Sequence, residues 1–453
     1  MKTLLELVVS IRPSKSIRGY STTEEGLMQK SSLRKLHPNI WVVTATSFLT
    51  DISSEMLVYL IPLFLSNVLG VRTAVIGLID GVAETTASLL KIYSGALSDR
   101  LGQRKWLAVI GYGISTIAKP FLYFANSWGW VMGVRFGDRV GKGVRNPPRD
   151  ALVAASTEPG QRGLAFGLHR AGDTAGAFLG ISIAALIIWL TQANGNLLVP
   201  QTFRTAVLVS IVPAVLAVVV LAVGAREVGQ IGPSAALPKK ALGLRRTGNL
   251  TYKTEAGQKS GQMRLLLSGM NPRFKTFLFI VVLFTLGNSS DSFIVLRAQE
   301  RGLTVLQTMF MLMTFTAVYT LLSGPLGALS DRVGRRQLII GGWLAYGLVY
   351  LGIAAAGTGW QVWALFGLYG VYYAATEGVA KALVADLVPD AQRGTAYGLF
   401  NAAIGITALP ASLLAGLLWQ GVGAWTGFGA AAPFYFGSSL ALLASFLLWW
   451  RVK

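Results

Sequence analysis

Apolar segments long enough to cross a lipid bilayer recur along most of this 453-residue chain. A membrane-spanning helix needs about 20 predominantly apolar residues, and one N-terminal signal peptide cannot account for so many of them. The chain is 53% hydrophobic and 13% charged, which is more apolar than a soluble domain of this length tolerates on its surface. The sequence therefore predicts an all-α, polytopic membrane protein.

Twelve transmembrane helices are predicted, of which the fourth is much more polar than the rest. The segments cover residues 39–68, 73–98, 106–127, 128–155, 163–190, 203–225, 276–299, 304–330, 337–357, 360–387, 394–420 and 431–450. Hydropathy alone would reject segment 128–155. It lies between two near-identical basic loops, GALSDRLGQRK at 95–105 and GALSDRVGRRQ at 327–337. Both loops are expected on the cytoplasmic side, so an even number of crossings separates them, and this segment must span.

The same loops reveal an internal duplication. Asp99 and Asp331 correspond at an offset of 232 residues, and Gln-Arg-Gly repeats at 161–163 and 392–394. Such repeats predict two six-helix halves around a central cavity. The predicted divisions are a cytoplasmic N-terminal segment at 1–37, a first half at 38–225, a basic cytoplasmic linker at 226–275 and a second half at 276–453.

Lysine and arginine are distributed unequally between the two sides of the predicted membrane protein. They concentrate in the N-terminal segment, the linker and the loops on one side, whereas the other side holds only Arg72, Arg204, Arg297 and Arg301. The positive-inside rule then places both termini in the cytoplasm. We expect a multi-pass protein of the inner (plasma) membrane, and the net charge of +20 needs no nucleic-acid partner.

Enzyme signatures and cofactor motifs are missing from the sequence. Cysteine is absent, no Gly-x-Ser-x-Gly elbow or metal-ligand cluster occurs, and the glycines around Lys142 do not fit a phosphate loop. We therefore expect no enzyme activity, no cofactor and no metal. The expected partners are a small-molecule substrate, protons and the lipid bilayer, with the protein acting as a monomer.

The two repeated loops resemble the first signature of the major facilitator superfamily. The matching residues are Gly95, Asp99, Arg100, Gly102, Arg104, Gly327, Asp331, Arg332, Gly334 and Arg335. An acid at the cytoplasmic mouth can face the positive N-terminus of a helix in the other half, while glycine permits a tight turn. The resemblance implies a breakable latch for the outward-facing state, and we assign gating to Asp99, Arg100, Arg104, Asp331, Arg332 and Arg335.

Helices four and five extend the resemblance over about residues 39–450. Arg135-Phe136 followed by Gly141-Lys142-Gly143 is similar to the family's fourth-helix signature, from which Asp138, Arg139 and Lys142 depart. The stretch GKGVRNPPRDAL resembles a prokaryotic branch of the family. Helix five spaces three glycines by four residues, as the antiporter-type signature does, without its Gly-Pro pair; they are Gly172, Gly176 and Gly180.

Charged residues on helix four fall on one helical face, opposite a face of small residues. A charge inside hydrocarbon costs about 2.5–3.5 kcal/mol, so these groups must face a cavity or pair with one another. The first reading is an anion-attracting wall that recognises substrate, formed by Arg135, Arg139, Lys142, Arg145 and Lys119. The second is structural pairing with acidic residues of helices one and two. The Pro147-Pro148 pair is expected to bend or unwind this helix.

Acidic residues in helices one and two are candidates for proton coupling, because a carboxylate sheltered from water can bind and release a proton. They are Asp51, Glu55, Asp80 and Glu84, with Asp51 and Glu55 as first choices. The alternative is permanent neutralisation by nearby lysines or the helix-four arginines.

Further intramembrane charges occur on helices five, seven and ten. His169, Arg170 and Asp173 are expected to form a gate or relay near the inner mouth. The second-half cavity residues are Asp291, Glu377 and Lys381, and the last two are expected to pair at a spacing of four. Aromatic walls are expected from Tyr372, Tyr373 and Tyr397.

These features together predict secondary active transport by alternating access. The expected solute is small and anionic or zwitterionic, and the expected coupling ion is the proton. An exporter of cationic or amphipathic drugs is the alternative within transport, and a lipid-handling or sensory relative is the alternative outside it.

Overall fold

The computed structural model describes residues 36–157, 162–192, 195–228, 270–389 and 392–452. Two compact units divide the chain, Met1–Leu36 and His37–Lys453, and the helices below belong to the second. The predicted N-terminal segment at 1–37 and basic linker at 226–275 lie largely outside the described residues.

Twelve helical spans follow one another in the described residues, and they match the predicted segments closely. They are α1 Pro38–Val68, α2 Thr73–Leu101, α3 Arg104–Phe124, α4 Trp128–Ala155, α5 Arg162–Gln192, α6 Pro200–Gly224, α7 Pro272–Glu300, α8 Val305–Val333, α9 Arg335–Ala355, α10 Gly359–Leu387, α11 Arg393–Gln420 and α12 Ala432–Arg451. Ten of these are long and apolar enough to cross a membrane. The exceptions, α4 and α10, are of comparable length. The polar segment that parity predicts to span corresponds to α4.

Local sequence explains where several helices begin and end. The Ser127 hydroxyl accepts a hydrogen bond from the backbone N–H of Trp130 at the start of α4, and Thr304 with Gln307 forms a capping box at the start of α8. Gly102 and Gly334, in the two repeated loops, end α2 and α8 with φ of 64° and 101°. Only glycine adopts such angles without strain, so the repeated loops turn for a local steric reason.

Three spans contain irregular stretches. α7 consists of Pro272–Gly287 and Ser292–Glu300, separated by the non-helical residues 288–291. α1 ends in a π-helix at Phe64–Val68 and α3 in a 3-10 helix at Lys119–Phe124. Of the bend or unwinding predicted for α4 at Pro147-Pro148, the unwinding does not occur, since α4 is continuous across both prolines. Packing neighbours can hold a proline-containing transmembrane helix in place after the loss of its own N–H bond.

Helices of each half pack mainly on one another. In the first half α1 contacts α5 and α6, while α4 contacts α2 and α3; in the second half α8 and α9 contact α10, and α9 also contacts α12. A Cβ at Gly176 or Gly180 would lie within 2.5 Å of a carbonyl oxygen of α1. The four-residue glycine spacing of α5 is therefore a surface for close packing on α1.

The two halves meet most closely where α2 crosses α11. The Thr85 hydroxyl donates to the carbonyl of Gly405 at 2.7 Å, and the Thr73 hydroxyl donates to that of Gly416 at 3.1 Å. Toward the end of the bundle that carries the repeated loops, α5, α8 and α10 enclose a vestibule of about 640 Å³, which reaches Asp331 and Arg335. The halves are thus joined near Thr73 and apart near the repeated loops.

Substitution of Gly405 by alanine is expected to loosen this joined end. The new methyl group would lie 2.1 Å from the Cβ atom of Ser88, whereas a methyl group at Gly398 on the same helix would meet nothing within 4 Å. Because the chain has no cysteine, buried Ser412 can be replaced by a single reporter cysteine. Maleimide labelling of Ser412→Cys should be several-fold faster with Gly405→Ala and unchanged with Gly398→Ala. Equal rates in all three proteins would contradict the steric role of the α2–α11 contact.

Candidate functional site

Two adjoining cavities of about 340 and 390 Å³ lie between the halves and share Tyr59, Asp291 and Tyr373. We call them together the central chamber. The 390 Å³ cavity shares Arg170, Tyr319 and several neighbours with the vestibule. A solute in the central chamber would therefore contact both halves and lie next to the open end.

The predicted cationic wall of α4 divides into paired and unpaired members. Arg135 donates to an Asp80 oxygen at 2.7 Å, and Arg139 lies 3.1 Å from a Glu84 oxygen. Both arginines are buried, and a buried charge is stable only with such a partner. For these two arginines the structure forms the pairs that the structural reading anticipated.

Three further cations form no ion pair within 4.0 Å among the described residues. The Lys119 ammonium donates to the hydroxyls of Ser53 and Ser54 at 2.7 and 3.0 Å. Arg145 donates to the hydroxyl of Ser115 at 2.7 Å. Lys142 and the other two line a small cavity of about 80 Å³ between α1, α3 and α4, which we call the first-half pocket. These three cations keep their charge available for a ligand.

The four candidate coupling carboxylates also differ from one another. Asp80 is buried and accepts hydrogen bonds from Ser290 at 2.9 Å and Ser292 at 2.6 Å, besides its ion pair. Asp51 and Glu55 line both the central chamber and the first-half pocket, and neither is in an ion pair in the described part of the chain. The geometry thus separates a buried, paired carboxylate at Asp80 from two, Asp51 and Glu55, that have no ion-pair partner among the described residues.

The break in α7 brings polar groups of the second half into the central chamber. Asp291 accepts a hydrogen bond from the Tyr369 hydroxyl at 3.1 Å, and Asn288 lines the same cavity. Ser290 and Ser292, which flank Asp291, provide the bonds to Asp80 and so connect the break to the first half. The sequence analysis identified Asp291 and missed the break. The polar run Asn-Ser-Ser-Asp at 288–291, inside an otherwise apolar segment, is the feature that could have predicted it.

Arg170 contacts the second half between the central chamber and the vestibule. Its guanidinium donates to the Tyr319 hydroxyl and lies 3.3 Å from a Glu377 oxygen, and Tyr319 also donates to Glu377. We call these three residues the inner clasp. The predicted pairing of Glu377 with Lys381 is wrong for this structure, because Glu377 turns to Arg170 across the vestibule and Lys381 is exposed. A spacing rule considers neighbours on one helix and not a partner on another.

His169 and Asp173 lie one turn apart on α5, with a His169 Nδ1 to Asp173 oxygen distance of 3.5 Å. The Nε2 atom of His169 is 2.9 Å from the Ser47 hydroxyl on α1. Asp173 also lines the central chamber, whereas His169 is buried. The pair therefore connects the α1–α5 contact with the chamber.

The repeated loops lie at the vestibule end. Arg335 donates to Asp386 at 2.6 Å and lies 3.6 Å from Asp331, so both contacts stay within the second half. In the first loop, the backbone N–H groups of Arg104 and Lys105 donate to the carboxylate of Glu227. Arg332 is exposed, and the side chains of Asp99 and Arg100 lie outside the described residues. Gating by these loops stays a prediction.

Aromatic residues line the second-half side of the chamber. Phe315, Tyr319 and Tyr373 contribute to the 390 Å³ cavity, and Tyr373 packs against Phe315, Tyr319 and Tyr372. Tyr372 itself is buried behind Tyr373. Tyr397, the third predicted wall residue, packs against the hydrophobic core.

Comparison with known proteins places this arrangement in a family. The model of the Major Facilitator Superfamily matches residues 43–296 and 276–453. The chain belongs to the Major Facilitator Superfamily. An uncharacterized MFS-type transporter of Methanocaldococcus jannaschii, MJ1317, is 33% identical over 421 residues, which cover 92% of this chain and 95% of the relative.

Solved structures of the Major Facilitator Superfamily share the fold. A crystal structure of the nucleoside transporter NupG superposes with a TM-score of 0.71 at 13% identity, over 92% of this chain and all of that one. A D-xylose-proton symporter superposes with a TM-score of 0.69 at 15% identity, over 92% and 98% of the two chains. This protein is a multi-pass secondary transporter and not an enzyme.

Removal of Asp80 is expected to destabilise the protein more than removal of Glu84. The Asp80 side chain is 7% exposed and that of Glu84 is 48% exposed, although both pair with an arginine of α4. Losing one partner of a pair buried on both sides costs about 3–5 kcal/mol. Loss of Glu84 also leaves buried Arg139 without its partner, but that pair is open to water on the Glu84 side, so the cost should be smaller. Thermal unfolding in detergent should show a lower midpoint for Asp80→Ala than for Glu84→Ala.

The double variant Asp80→Ala with Arg135→Ala serves as the control for that comparison. It should recover part of the loss, since no uncompensated guanidinium remains buried. Equal midpoints for the two single variants would show that Asp80 has no special structural role.

Proposed function

We propose that this protein carries a small zwitterionic solute by alternating access, coupled to protons. The observation that carries the proposal is the composition of the central chamber. Lys142 and the carboxylates of Asp51, Glu55 and Asp291, none of them in an ion pair among the described residues, line it together with aromatic rings. An anionic group of the solute would bind toward Lys142. A cationic group would bind toward Asp291 and the aromatic rings, which attract cations through their faces.

The balance of charges favours a zwitterion over a wholly anionic solute. The 390 Å³ cavity is lined by five carboxylate residues and two cationic ones, and one of the cations, Arg170, is occupied in the inner clasp. Arg135 and Arg139 of the predicted wall are engaged by Asp80 and Glu84. An anion without a compensating positive group would meet more acids than free bases.

Proton coupling is assigned to Asp51 and Glu55. Both face water-accessible space without an ion partner in the described residues, and binding of an anionic group nearby favours their protonated forms by simple electrostatics. The effect is reciprocal: if bound solute raises the proton affinity of these carboxylates, protonation raises the affinity for the solute by the same factor. Such linkage is the thermodynamic basis of coupled transport.

The orientation completes the proposal. The distribution of lysine and arginine supports cytoplasmic termini in the inner membrane, and the vestibule then opens to the cytoplasm. In that orientation the α2–α11 contact closes the opposite side, and alternating access requires this contact to open while the inner clasp and the repeated loops close.

Export of cationic or amphipathic compounds is the second candidate. The same excess of carboxylates, together with Phe315, Tyr319 and Tyr373, supports it. The two candidates differ in whether an anionic group is needed for binding, and therefore in whether Lys142 matters.

A ligand panel separates the candidates. The purified protein is heated with matched sets of compounds that carry an ammonium group alone, a carboxylate alone, or both on one short chain. We expect zwitterions to raise the unfolding midpoint most, in a manner that requires both Asp291 and Lys142. Stabilisation by ammonium compounds that survives Lys142→Gln would favour the exporter, and stabilisation by carboxylates alone would exclude both.

Asp51→Asn is expected to uncouple transport from protons. In proteoliposomes, the variant should lose uptake driven by a pH gradient by tenfold or more and retain exchange of internal for external solute, because exchange needs no net proton movement. Glu300→Gln, at the far end of α7 and outside the central chamber, keeps an oxygen that can accept the hydrogen bond from buried Arg297. It is the matched control and should retain gradient-driven uptake. Full gradient-driven uptake by Asp51→Asn would refute the assignment.

A further inference from the structure

The first-half pocket is separate in position from the central chamber, although the two adjoin. It lies within one half, between α1, α3 and α4, whereas the chamber lies between the halves. Asp51, Glu55 and Lys142 line both, so a path from chamber to pocket passes these three side chains. The pocket is also lined by four further cations, by a third carboxylate and by apolar residues of α1, α3 and α4. The cations are Lys119, Arg135, Arg139 and Arg145, and the carboxylate is Asp138.

Buried hydrogen-bond donors without a partner outnumber such acceptors in this pocket. The Nε atoms of Arg135, Arg139 and Arg145 and one acceptor, an Asp138 carboxylate oxygen, are buried and have no hydrogen-bond partner in the described part of the chain. Lys142 has no hydrogen-bond or ion-pair partner there either. Buried donors in folded proteins are nearly always satisfied, and an unsatisfied one costs about 1–3 kcal/mol. The unused donors point to an absent acceptor.

The size of the pocket limits what that acceptor can be. A volume of about 80 Å³ accommodates on the order of five water-sized groups. Pockets that enclose whole metabolites usually measure about 300–1,000 Å³. A halide, a nitrate, a phosphate or the carboxylate end of a larger molecule fits, and a complete metabolite does not.

The arrangement of donors also suits an anion better than water alone. Guanidinium groups donate in a fixed planar geometry that matches oxyanions, and Lys119 and Lys142 add two ammonium groups to the same pocket. The Arg145 guanidinium is further held in place by Ser115 and by the ring of Tyr112, 4.6 Å away. The site is therefore built of side chains with restricted positions.

We infer that the first-half pocket binds one small anionic group through Arg145, Lys142 and Lys119. The group is either a free inorganic anion or the anionic end of the transported solute. Only the second source rests on the proposed function. In both cases the pocket is an anion site within the first half, and the cation-binding surface near Asp291 is a different one.

Salt-dependent unfolding of the full chain in lipid nanodiscs tests this inference. The sodium salts of chloride, nitrate, phosphate and acetate are compared at constant ionic strength with gluconate, which is too large for the pocket. We expect at least one small anion to raise the midpoint relative to gluconate in a saturable way. Arg145→Gln and Lys142→Gln should each weaken the apparent affinity at least tenfold. Lys381→Gln, an exposed lysine of the vestibule, is the control and should leave it unchanged.

The outcomes identify the source of the anionic group. Saturable stabilisation by chloride, nitrate or phosphate indicates a free inorganic anion. Stabilisation confined to acetate, or to the zwitterions of the ligand panel, and lost in both variants, indicates the anionic end of the solute. Equal midpoints in every salt and with every zwitterion, or stabilisation that persists in either variant, would overturn the inference. Transport that requires Asp51 could still hold in that case.

Should Arg145→Gln fail to fold, Lys142→Gln gives the same decision, because Lys142 has no partner in the described residues whose loss would disturb packing. Arg145→Lys adds a further readout. It keeps the charge and loses the planar donors, so it should retain halide binding better than binding of nitrate or phosphate. Equal losses for all anions in Arg145→Lys would contradict a guanidinium contact.

Discussion

The arrangement of charge within the first six helices governs the rest of this structure. An ionised side chain exposed to lipid is costly, and α4 alone brings several of them into the bundle. Two of its arginines are neutralised by acids on α2, and the remaining cations turn into a pocket and a chamber instead of toward hydrocarbon. The first half therefore packs around polar space, while the glycines of α5 allow close contact with α1.

The second half meets a different demand. Its helices carry few charges, and its tyrosines and phenylalanines pack into a firm wall behind the break in α7. The two halves carry the same repeated loop, but one contributes ionic groups and the other aromatic surface. A solute between them would contact charged groups of the first half and aromatic rings of the second half.

Much of the fold could be predicted from the sequence, because apolar length and loop charge act locally. The helices follow the predicted segments, and the polar segment that the parity argument retained is a helix, α4. Partners across helices could not be predicted in the same way. Whether Arg139 meets Glu84 or Glu55, or whether Glu377 turns to Lys381 or Arg170, depends on rotations and depths that no spacing rule contains. The break at 288–291 was missed because a short polar run resembles an ordinary helix face.

The hydrogen bonds from Ser290 and Ser292 to Asp80 have a mechanical consequence. The helix Ser292–Glu300 is not continuous with Pro272–Gly287, so it can tilt as a short lever about residues 288–291. Since Asp80 holds this lever and also the guanidinium of Arg135, a displacement of α4 would pull on α7 directly. Binding of a solute against α4 in the first half can in this way move α7 in the second half through direct side-chain contacts.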